Sequence, residues 1–162
     1  MQKCALRGVP LDLAEGNETI RSSFMPKPQS KKMTREEKRN LDVEIGFIEG
    51  VVQKDPSYVE ALQILGDDYT RRGRFTDGLK IDEQLAQLRP QDPTVLYNLA
   101  CSYSLTDQVE HAFAALHRAL GAGYDDFKWM AQDPDLEKLR KHPLYDQVRT
   151  KIKTVKPKTK AA

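Results

Sequence analysis

The chain is poor in the residues that carry most enzyme chemistry. Its 162 residues include two cysteines, Cys4 and Cys101, three histidines and one tryptophan. Two cysteines cannot form a disulfide framework or a four-ligand zinc site. No run of 18 apolar residues exists, which excludes a helical membrane span. Arg7, Asp12 and Glu15 interrupt the first residues, so no secretory signal is expected. These features together lead to the expectation of a reduced, cytoplasmic protein. A Gly-rich phosphate loop and a nucleophile elbow are also missing, and Gly121-Ala122-Gly123 reads as a helix stop. His111 and His117 lie on one helix about 600° apart, whereas zinc ligands on a helix need three- or four-residue spacing. The neighbours Asp67-Asp68 and Asp125-Asp126 diverge by about 100°, which is wrong for an acid–base dyad. The expectation is therefore no catalytic residue, no metal and no cofactor.

What is present is charge, unevenly placed. Lys plus Arg is 26 and Asp plus Glu is 24, giving a net charge of +2. Residues 1–40 carry net +4, residues 41–146 net −8 and residues 147–162 net +6. An acidic body thus lies between basic ends.

Residues 1–33 show no sustained periodicity and read as a flexible tail. From Thr34 the pattern is helical. Thr34 and Glu37 form a capping-box spacing, and Leu41, Ile45, Ile48 and Val52 follow on one face. Gly46 and Gly50 cost helix propensity, about 1 kcal/mol each, which predicts close packing against a neighbour. Further helices are expected over about 57–72, 75–89, 93–105 and 108–121. A last helical region, 125–151, is broken near Asp133-Pro134 and His142-Pro143. The Lys-rich end, 153–162, is too polar to pack.

A shift of 34 residues reveals a repeat. Leu62, Leu65, Gly66, Tyr69, Phe75, Gly78 and Leu85 fall on Leu96, Leu99, Ala100, Tyr103, Val109, Ala112 and Ala119. Pro56 and Pro90 are 34 apart as well. In each unit a small residue on the first helix meets a small residue on the second, so the two approach closely. The pattern resembles the tetratricopeptide repeat family over residues 34–152, with complete units at 59–92 and 93–126 and a preceding half-unit at 34–58. Asp82 and Tyr124 depart from the family pattern. Residues 125–152 resemble the closing segment of bacterial members. There Phe127, Trp129, Leu136, Leu139, Leu144 and Tyr145 can cover the last apolar face.

The resemblance implies an all-α, short right-handed α-solenoid of antiparallel helix pairs with a C-terminal helical cap and disordered tails. It also implies a non-enzymatic adaptor that binds a peptide or helix in its concave groove. By the family's geometry the first helix of each unit lines that groove. This places Glu60, Gln63, Asp67 and Thr70 there from one unit, and Thr94, Tyr97, Asn98, Cys101 and Ser104 from the next. Tyr97 is the expected anchor, since a tyrosine buries large area at low rotamer cost with its hydroxyl available. Some family members clamp a chaperone's C-terminal carboxylate. Asn98 matches one clamp position, but Gln63 and Asp67 stand where a lysine and an asparagine are needed, so a basic or neutral partner is expected instead.

Two alternatives belong to other classes. Arg149, Lys151, Lys153, Lys156, Lys158 and Lys160 could tether the domain to nucleic acid or an anionic membrane. No aromatic follows Tyr145 to stack on bases, so no specific nucleic-acid partner is expected. The same tail could instead lie on the acidic body. Weak self-association is the other alternative, through the lightly protected array edge at 34–54.

Overall fold

The computed structural model describes residues 33–155, and these are helical throughout with no strand among them. Of the expected flexible tail over 1–33, residues 1–32, including Cys4, lie outside the described residues, while Met33 packs partly buried against Leu41, Ile45, Leu65 and Tyr69; of the basic end over 153–162, residues 156–162 lie outside them. Five helices form the array: α1 (Arg35–Lys54), α2 (Val59–Arg72), α3 (Phe75–Leu88), α4 (Pro93–Leu105) and α5 (Val109–Gly121). Each packs on the next, joined by short loops. Two short helices, α6 (Phe127–Met130) and α7 (Glu137–Lys141), flank a 3-10 turn at Pro134–Leu136, and α8 (Tyr145–Val155) returns to α5.

The helix ends follow from side chains that satisfy otherwise unpaired backbone groups. Thr34 N–H donates to Glu37 Oε2 at 2.6 Å and Glu37 N–H donates to Thr34 Oγ1 at 3.1 Å. This is the capping box that the spacing predicts. Asp92 caps α4 by accepting from the N–H groups of Thr94 and Val95, with Pro93 preset at the first helical position. The turn between α2 and α3 needs a left-handed residue, and Gly73 supplies it at φ 84°. The equivalent turn between α4 and α5 uses Asp107 at φ 63°. At the other end, α8 runs to Val155, three residues past the boundary that composition suggests.

The repeat is visible in bonds as well as in residues. Tyr69 Oη donates to Glu49 Oε1 at 2.6 Å, and Tyr103 Oη donates to Glu83 Oε1 at 2.9 Å. Gln84 donates to the Pro56 carbonyl at 2.6 Å, and Arg118 donates to the Pro90 carbonyl at 3.4 Å. Every partner in one bond lies 34 residues from its counterpart in the other. So α1 stands to α2 as α3 stands to α4. Burial, strengthened by the facing carboxylate, pushes both tyrosine hydroxyls up to about 12.

Small residues set the helix spacing within a unit. A Cβ built on Gly78 would meet Thr70 Oγ1 at 3.1 Å and the Gly66 carbonyl at 3.5 Å. The second unit places Ala100, Ala112 and the smaller Ser104 at the corresponding positions, so each glycine gains a methyl while the threonine loses one. Asp82, which departs from the apolar pattern, is buried and accepts a hydrogen bond from the buried Ser102 hydroxyl of α4.

Gly46 and Gly50 behave otherwise. A Cβ on either would meet nothing within 4 Å. The close neighbour expected from them is absent among the described residues, because both glycines lie on the side of α1 away from α2. The face toward α2 carries Leu41 and Ile45, which cluster with Leu65 and Tyr69.

The largest core cluster joins α4 and α5 to the closing segment. Leu96, Tyr97, Ala100, Cys101, Leu116 and Leu120 pack with Met130, Leu136, Leu139, Tyr145 and Val148, while Phe127, Trp129 and Ile152 add partly buried surface. Met130 and Val148 do the covering work expected of Leu144, which is partly exposed and outside the cluster. Each fully buried aliphatic side chain here removes enough apolar surface from water to stabilise by about 1.5–3 kcal/mol.

Candidate functional site

On α2 the residues Glu60, Gln63, Ile64, Asp67 and Arg71 share one face at helical spacing. Glu60, Ile64 and Arg71 are exposed, and Gln63 and Asp67 are partly so. Ile64 is 40 % exposed, an apolar residue set among polar ones. The next residue round the helix, Thr70, is buried and donates to the Gly66 carbonyl at 3.1 Å, so it supports the helix pair instead of facing the groove. The charge on this face is net acidic. The face carries Glu60 and Asp67 against Arg71, and Arg71 is itself bonded at 2.8 Å to Asp68, whose side chain is buried beside it. Burial raises the Asp68 carboxyl above the usual carboxylate range; the Glu44 charge adds to the rise and Arg71 opposes it.

The equivalent face of α4 carries Thr94, Tyr97, Asn98, Cys101 and Leu105, and the closing segment sits on it. Tyr97 is fully buried, its ring stacked on Tyr124 with centroids 4.0 Å apart, and its hydroxyl donates to Asp133 Oδ2 at 2.9 Å. Cys101 lies under the same carboxylate, with Sγ 3.8 Å from Asp133 Oδ2, and Ser104 is also buried. The expectation of Tyr97 as an available anchor is corrected by this geometry: its ring and hydroxyl are both engaged within the chain. Asn98 is buried as well, 9 % exposed, and Thr94 remains open at the N-terminal end of the helix.

Asp133 is the residue that sequence reasoning missed. Its Oδ1 accepts from Asp135 N–H at 3.0 Å and so caps the 3-10 turn, while its Oδ2 faces Tyr97 and Cys101. Arg140 donates to the Asp133 carbonyl and, at 3.4 Å, to the Met130 carbonyl, which fixes the turn from behind. Outside this clasp, Lys138 reaches Asp107 at 2.6 Å. The available signal was Asp133-Pro134, which marks a helix break and equally a capped start with proline at its first position. The site residues named from sequence therefore separate. Glu60, Gln63, Asp67 and Thr94 are accessible, whereas Thr70, Tyr97, Asn98, Cys101 and Ser104 are enclosed.

Comparison with known proteins adds two relatives. Over 97 residues the chain is 36% identical to a chloroplastic protein of Arabidopsis thaliana, a match covering 58% of this chain and 28% of that protein. Over 91 residues it is 33% identical to the peroxisomal targeting signal receptor of Komagataella phaffii, covering 55% of this chain and 16% of that protein. The chain thus spans less than a third of the length of the curated relatives it matches. No protein-family model matches it. Among the described residues no helix is long and apolar enough to cross a membrane. A chloroplastic relative means that a cytoplasmic placement does not follow from the similarity. One of the two is named as a receptor for a targeting signal, and neither is named as an enzyme.

Proposed function

We propose that this chain is a tetratricopeptide-type interaction module, without catalysis of its own, that binds a basic or neutral peptide segment along α2. One observation carries the reading. The α2 face is open and acidic around an exposed Ile64, while the matching α4 face is filled by the chain's own closing segment. Ile64 offers apolar contact, Gln63 can pair with a peptide backbone, and Glu60 and Asp67 favour lysine or arginine on either side. Thr94, exposed at the start of α4, would continue the track. The similarity to a targeting-signal receptor supports recognition of a short segment.

The test is a fluorescence anisotropy titration with a Lys/Arg-rich nonapeptide and its Glu-substituted counterpart. The basic peptide should bind, weaken as salt rises, and weaken about ten-fold or more in Asp67→Lys. Tyr97→Phe should leave the affinity unchanged, because that side chain is enclosed. Absence of salt-dependent binding, or equal affinity in Asp67→Lys, would refute the reading.

A further inference from the structure

The side of α1 turned away from α2 is apolar and uncovered among the described residues. Val43 is 69 % exposed and Phe47 71 % exposed, one turn apart. Gly46 and Gly50 flank them with open space above each, so a second helix could approach the backbone there. The same stripe, followed at 100° per residue, passes through Glu36 and Asn40 toward the N-terminal end and reaches Lys54 at the C-terminal end. All three are exposed.

We propose that this face pairs with the same face of a second copy, the two α1 helices running antiparallel and centred at residue 45. Charge and spacing both select this arrangement. In the antiparallel register Val43 of one copy meets Phe47 of the other, twice by symmetry. Glu36 of each copy meets Lys54 of the other, so both ends close with opposite charges. Asn40 lies over Gly50, where the missing side chain leaves room. A parallel pair would set Glu36 on Glu36 and Lys54 on Lys54, and would also align the helix dipoles unfavourably. Two-fold symmetry makes the contact self-complementary and closed, so it yields dimers and not filaments. A single helix pair buries less than the area of a standard stable interface, about 1,600 Å², so the dimer is weak and concentration-dependent.

Sedimentation velocity on the full chain tests this over a range from about 10 μM to about 1 mM. The wild type should shift from monomer toward dimer with concentration, and Phe47→Glu should stay monomeric at least ten-fold further up the range. Because Phe47 is exposed, that variant keeps its helical circular dichroism. At low salt, Glu36→Lys and Lys54→Glu should each weaken association, and the two combined should restore it. A chain lacking residues 1–32 should associate as the wild type does. The proposal is overturned by a monomer at every concentration, by a combined charge swap that does not restore association, or by stronger association after removal of residues 1–32. That last result would make an N-terminal segment of the chain itself the occupant of the face.

Discussion

The helix pairs α2–α3 and α4–α5 share a skeleton and differ in what they expose. Both hold their leading helix to the preceding one through a tyrosine–glutamate bond, and both keep a left-handed residue at the turn between their helices. In the first unit, Gly66, Thr70 and Gly78 meet at the helix crossing. In the second, Ala100, Ser104 and Ala112 stand there. The outer face of the first unit is open and acidic, while that of the second is sealed by Asp133 and the apolar side chains of the closing segment. The repeat register determines how helices stack, and it leaves open which groove positions meet solvent. A segment outside the register decides that, by packing over α4.

The largest expected effect lies in the sealed unit. Leu139→Ala removes a fully buried side chain from the closing segment and should destabilise by about 2–5 kcal/mol in urea unfolding. It should also speed reaction of Cys101, fully buried in the wild type, with a thiol reagent. A slow Cys101 in a clearly destabilised variant would show that the seal does not depend on this packing.

Next are the stacking tyrosines. Tyr69→Phe and Tyr103→Phe each remove one hydroxyl–carboxylate bond and should each cost about 1–2 kcal/mol. Similar costs mean equivalent junctions; a two-fold disparity would break the equivalence. The pH dependence follows from the same bonds. Both hydroxyls are raised to about 12 in the fold from an ordinary value of 10. A raised value means that the neutral form is held preferentially by the folded state. This contribution is complete below pH 10 and is lost as pH climbs toward 12. The Phe variants should unfold less steeply across that window than the wild type, as followed by circular dichroism.

The smallest effect concerns the helix crossing. Gly78→Ala alone gains helix propensity but presses on Thr70 Oγ1, so its net change should be near zero. Combined with Thr70→Ala, which removes that oxygen, it should stabilise by about 0.5–1 kcal/mol more than the single changes sum to. Additive changes would mean that Thr70 Oγ1 does not limit the approach of the two helices.

Much of the fold was legible because its determinants are local or periodic. Thr34 with Glu37 announced the first helix, Pro56 and Pro90 marked unit ends, and the 34-residue shift placed the small residues at the crossings. The site was less legible. Glu60, Gln63 and Asp67 were found by position, and Ile64 was passed over because an apolar residue on a helix reads as core. The enclosure of Tyr97 depends on Asp133, 36 residues away in sequence. No periodicity connects those two. Gly46 and Gly50 misled for a related reason: glycine in a helix signals room for a neighbour, and here the described chain supplies none.

In the proposed reading α2 is open to a ligand and α4 is closed by the chain itself. Backbone amide NMR during titration with a Lys/Arg-rich nonapeptide separates the two faces. The largest shift changes are expected at Glu60, Gln63, Ile64 and Asp67, with small ones at Tyr97 and Cys101. Dominant changes at Tyr97, Cys101 and Asp133 would contradict it, since they would mean that the closing segment yields its place to the peptide.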